Sequence, residues 1–154
     1  MLTRRSMMYL ILAPAAGPLF AGIGSNKAAY SGGTITSLKV GEEGTFDVSG
    51  PEKAVFKTKS ATLDIPYKAI DSLEYGQKAG RRVGVAVAVT PLALFSKKRK
   101  HYLTITYVDS QGARQGVVFE LGKDIVRTTL LNLQVRTGKE LEFESEEAKK
   151  EYGR

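Results

Sequence analysis

From Gly33 onward, short apolar–polar alternations recur about every ten residues with turn residues between them, and this spacing constrains the fold more than any other feature. "GTITSLKV" alternates through Ile35, Leu38 and Val40. "GTFDVSG" puts Phe46 and Val48 on one face. "AVFKTK", "ATLDIPY" and "IDSLEYG" continue the series, with Leu63, Ile65, Ile70, Leu73 and Tyr75 as apolar points. A period of two places alternate side chains on opposite faces of an extended chain. Many such runs predict an antiparallel sheet or barrel, not a helix bundle.

The clearest unit is "HYLTITYVDSQGARQGVVFELG". Leu103, Ile105 and Tyr107 share one face and Tyr102, Thr104 and Thr106 the other. "DSQG" turns the chain, and Val117, Phe119 and Leu121 return on one side. β-Branched and aromatic residues suit a pleated surface. After Lys123 the period changes. Val126, Leu130 and Leu133 follow helical spacing with Thr129 and Thr137, and Gly138 is placed to end the helix after about four turns. Leu141 and Phe143 alternate briefly. Residues 144–154 read as a charged, flexible tail.

The first 25 residues read as an address, not as fold. "MLTRRSMMYLILAPAAGPLFAGIG" carries two arginines and then an uncharged run from Ser6 to Asn26. That is the pattern of an export signal peptide; an uncleaved N-terminal anchor stays open beside it, weakened by Pro14 and Pro18. Either way the expected location is exported, periplasmic or extracellular, with membrane association possible for such a surface. Residues 26–33, small and glycine-rich, read as a linker, and 34–143 as the folded domain.

Charge and chemistry narrow the function classes. The net charge of +7 is concentrated in Arg81, Arg82, Lys97, Lys98, Arg99 and Lys100, which bracket the uncharged run Val83–Phe95. Such a cluster suits an anionic partner, and the expected export demotes nucleic acid. Within the run, valines alternate with glycine and alanine up to Pro91, a strand pattern. As a helix it reaches only about 20 Å, short of a bilayer core of roughly 30 Å. Three readings stay open: a core or edge strand followed by a turn or a short buried helix, a loop whose tip at Leu92, Leu94 and Phe95 meets a membrane or partner, and an anchor helix. The chain has no cysteine, which excludes a thiol nucleophile and a thiolate zinc site. The single histidine, His101, has no orienting carboxylate near it in sequence and reads as a strand-start residue on the surface. Glu42–Glu43 and Glu146–Glu147 read as solvated charges. No catalytic residue, metal or cofactor is expected.

Several stretches carry a family likeness. "GTFDVSGPEKAVFK", "LDIPYKAIDSLEYG", "KKRKHYLTITYVDSQGARQGVVFELGK" and "VRTTLLNLQVRTGKE" together resemble bacterial pleckstrin-homology-like (PH-like, GRAM-like) domains over about residues 44–140. The resemblance implies a mainly β protein with one C-terminal helix (α+β): an antiparallel β-barrel or sandwich of six or seven strands capped by an amphipathic helix. It also implies a binding module, not an enzyme. Eukaryotic members use basic loops to hold phosphoinositide headgroups, a ligand an exported protein does not meet. What carries over is anionic-surface recognition by Arg81, Arg82 and Lys97–Lys100. The reading is therefore a non-catalytic exported module for an anionic membrane surface or an envelope protein. A purely structural or protein-interaction domain and a barrel carrying a small apolar ligand remain as alternatives.

Overall fold

The computed structural model describes residues 26–77 and 100–153. These form one eight-stranded sheet with two helices near the C-terminus. The strands are β1 (Lys27–Gly33), β2 (Glu43–Asp47), β3 (Lys53–Thr58), β4 (Thr62–Pro66), β5 (Ile70–Gly76), β6 (His101–Val108), β7 (Arg114–Leu121) and β8 (Leu141–Phe143). Helix α1 spans Val126–Thr137 and α2 spans Glu146–Tyr152. The protein is thus mainly β with a C-terminal helix, the fold class its periodicity predicts.

The order across the sheet is β4-β3-β2-β1-β7-β6-β5-β8. β4 and β8 are its two free ends, so hydrogen bonding does not close it into a barrel. Every neighbouring pair is antiparallel except β5 with β8, which run parallel.

Three local expectations are corrected. Residues 26–33 are not a linker. They carry β1, which sits mid-sheet between β2 and β7 and buries Ala28 and Tyr30 in the core. Its small residues suppress the alternation signal, and ladder bonds on both sides hold it in place. "GTITSLKV" is a loop after β1; Leu38 anchors it by burial while Val40 stays exposed. The tail is not unstructured either. Ser145 caps α2 by accepting a hydrogen bond from the Ala148 amide at 3.2 Å, and Ala148 is buried. β1 and β8 raise the strand count above the expected six or seven.

One apolar core joins the inward faces of the strands to α1. Its centre is aromatic: the Phe119 ring lies 4.7 Å from Phe46, 4.8 Å from Phe56 and 6.4 Å from Tyr30, centroid to centroid. α1 contributes Val126, Thr129, Leu130 and Leu133, as its spacing predicts. Gly138 ends it at φ +67°, left-handed backbone that glycine adopts without a Cβ clash. Arg136, in the last turn, donates to the Ser49 carbonyl at 2.8 Å and lies 5.8 Å from the centre of the Tyr67 ring.

β6 and β7 bury both faces. Leu103, Ile105, Val117 and Phe119 belong to the core, while Tyr102, Thr104 and Val118 on the alternate positions are buried outside that cluster. This outer face is the side on which the candidate site lies.

Candidate functional site

Strand register brings three chain openings to one end of the sheet. β1 begins after Asn26, β5 ends at Gly76 before Gln77, and β6 begins at His101 after Lys100. Ala28 and His101 both sit opposite Leu121, and Gly76 sits opposite Tyr102. β1, β7, β6 and β5 are consecutive neighbours. At about 4.8 Å per strand, these openings fall within about 15 Å of one another. Residues 1–25 and both ends of 78–99 therefore attach at the same end.

Of the expected site residues, Lys100 alone lies among the described residues. Arg81, Arg82, Lys97, Lys98 and Arg99, and the apolar tip Leu92, Leu94 and Phe95, lie outside them. The Lys100 Nζ donates to Glu120 at 2.9 Å, and this hydrogen bond pushes the lysine's pKa up. Glu120 also lines an open groove of about 660 Å³ on the outer face. The last residue of the basic cluster is thus fastened to the rim of that groove.

The groove crosses β1, β2 and β3 and the end of β7. Its row is set by register: Lys27 pairs with Thr45, and Thr45 with Lys57. All three occupy outward positions, since Ala28, Phe46 and Phe56 point to the core. Lys59, just beyond β3, adds a third lysine, and Ala28, Ala29, Gly44 and Leu121 supply small or apolar lining. Among the described residues Lys27, Lys57 and Lys59 make no ion pair. Sequence reasoning misses these lysines, because Lys27 lies about thirty residues from Lys57 and Lys59.

His101 does start a strand, but it is not a surface residue. It is half-buried in an aromatic cluster, with its Nδ1 2.7 Å from the Tyr75 hydroxyl. The Tyr152 ring from α2 closes on Tyr75 at 5.0 Å and on His101 at 5.6 Å. Burial pushes the imidazole pKa down. Glu151 and Glu120 oppose that shift, and Lys123 adds to it. Burial likewise pushes the Tyr75 hydroxyl up. The cluster holds a helix against the sheet. Glu146 and Glu147 occupy the first turn of α2, where carboxylates suit the helix dipole. Glu43 opens β2 and lines the groove.

Among the described residues no group of three or more histidine, aspartate or glutamate side chains is arranged to hold a metal ion. Among them, too, no helix is long and apolar enough to cross a membrane. In comparison with known proteins, no family model and no curated protein matches this sequence.

Proposed function

We propose that the protein is a non-catalytic, exported binding module that engages an anionic membrane surface through the basic residues bracketing Val83–Phe95. One observation carries this reading. Asn26, Gln77 and Lys100, the described positions from which the chain leads to the apolar N-terminal residues and to the two basic flanks, lie at the same end of the sheet. A surface that receives one segment therefore lies within reach of the other. Each lysine or arginine near an anionic leaflet contributes about 1 kcal/mol, so such a cluster suffices for salt-sensitive attachment. Seven antiparallel strands followed by α1 support the PH-like resemblance, with β8 and α2 as additions.

Co-sedimentation of the full chain with phosphatidylcholine vesicles, with and without phosphatidylglycerol, tests the proposal. Binding is expected to be stronger to the anionic vesicles, to weaken with salt, and to lose that preference when Arg81, Arg82 and Lys97–Lys100 are changed to glutamine. Equal binding to both vesicle types, or binding to neither, overturns it.

A further inference from the structure

We infer that residues 139–153 form a single detachable latch on the outer edge of β5, closed at neutral pH and released as a unit in mild acid when His101 takes up a proton. The core is nearly complete without this segment. Of its buried side chains, only Leu141 and Ala148 lie beyond Gly138, while Phe143 and Tyr152 pack against its margin and stay partly exposed. β8 has three residues and meets β5 at Leu73, Glu74 and Tyr75. Arg127 of α1 donates to the Glu151 carbonyl at 3.0 Å, an exposed bond that water can replace. A unit that buries so little apolar surface opens at a lower free energy than the sheet it rests on. Gly138, in left-handed backbone, and the exposed Lys139 and Glu140 separate it from α1 and form its hinge.

β8 and α2 open together because both close on the same side chain. The Tyr75 ring lies 6.1 Å from Phe143 of β8 and 5.0 Å from Tyr152 of α2, centroid to centroid. Between these two contacts the Glu144 amide donates to the Tyr75 carbonyl at 2.9 Å. The Glu144 side chain lies so close over Gly76 that a Cβ there would overlap it. Loss of either element therefore uncovers the seat of the other. Release leaves β5 as an open end of the sheet, with the backbone groups that Leu73 and Tyr75 turn toward β8 unpaired. This edge ends beside Gln77 and Lys100, where the chain leads to the two basic flanks.

His101 is the titrating part of the seat. Tyr75 of β5 and Tyr152 and Glu151 of α2 face it, with Glu120 at the end of β7 and Lys123 in the turn that follows. Lys100 precedes it on its own strand and is matched by Glu120. Burial keeps the proton on the Tyr75 hydroxyl, which donates to Nδ1 of the neutral imidazole. A protonated ring loses that acceptor and places a charge in a half-buried aromatic seat. Burial outweighs the attraction of Glu151 and Glu120, so the closed form holds the imidazole below its ordinary value. Opening hydrates the ring and restores that value. Protonation thus favours the open form, and its population rises by up to about tenfold per pH unit between the two values.

Residue-resolved hydrogen exchange of the full chain at neutral pH and in mild acid, corrected for the intrinsic effect of pH, tests the latch. The amides of β8, α2 and Tyr75 are expected to lose protection together in acid, while those of Leu103 and Phe119 keep theirs. The midpoint is expected to follow the titration of the His101 ring, read from its own resonances. His101→Phe is expected to stay closed at both pH values, and so is His101→Gln, which keeps a polar acceptor without a titrating ring. Gly76→Ala is expected to speed exchange of the same set of amides at neutral pH by crowding Glu144. If α2 loses protection while β8 and Tyr75 keep theirs, the segment is not one unit. If Phe119 exchanges in step with the segment, the event is global unfolding and the latch falls. If both His101 variants keep the acid response, the assignment of the trigger is overturned.

Discussion

The Tyr75 hydroxyl and Nδ1 of His101 lie 2.7 Å apart, and Tyr152 covers both rings from the C-terminal helix. Through this contact a helix distant from β5 and β6 in sequence is fastened to their ends. Burial favours the neutral imidazole, so its pKa in the folded protein lies below its unfolded value. The contribution to stability is complete above the unfolded value, about 6.5, and is lost as pH falls through the lower folded value. Hydrogen exchange should therefore show weaker protection of the α2 amides in mild acid than at neutral pH. His101→Phe should remove that difference. An unchanged pH dependence in the variant would place the titrating group elsewhere.

Phe119 touches three aromatic rings at the centre of the core and is fully buried. Phe119→Ala should cost about 3–5 kcal/mol, because the cavity spans four strands and cannot collapse locally. Urea denaturation measures it. Val40→Ala, at an exposed loop position, should stay within about 0.5 kcal/mol.

Arg136 joins the end of α1 to the β2–β3 turn by a hydrogen bond to Ser49, and to the turn after β4 by a face contact with Tyr67. The hydrogen bond is solvent-exposed, so Arg136→Ala should lower stability by about 1 kcal/mol. Arg136→Lys should recover only part of this, since an ammonium group lacks the planar stack. Thermal melts of the two variants give the comparison.

Gly138 holds the left-handed conformation that stops α1. A Cβ there meets no neighbouring atom, so any loss on substitution comes from the backbone alone. Gly138→Ala should destabilise by about 1 kcal/mol and Gly138→Asn by less, read from the shift in melting temperature.

Periodicity alone located β2 to β7 and α1, because each rests on a pattern repeating every 2 or 3.6 residues within its own stretch. Leu103, Ile105 and Tyr107 announce their shared face without reference to any partner. Tertiary structure decided the rest. β1 is a strand because Tyr30 finds Phe119 across the ladder, and nothing in "KAAYSGG" anticipates that pairing. β8 is held in parallel register by β5, and α2 by Tyr75 and His101. The groove follows the same rule: Lys27 and Lys57 become neighbours through Thr45 only once the register of β1, β2 and β3 is set. The sequence by itself determined which residues of β2 to β7 and α1 face the core, since that choice depends on local alternation against water. Only the tertiary structure decided which outward residues meet, since pairing is fixed by hydrogen bonds and core contacts between distant parts of the chain.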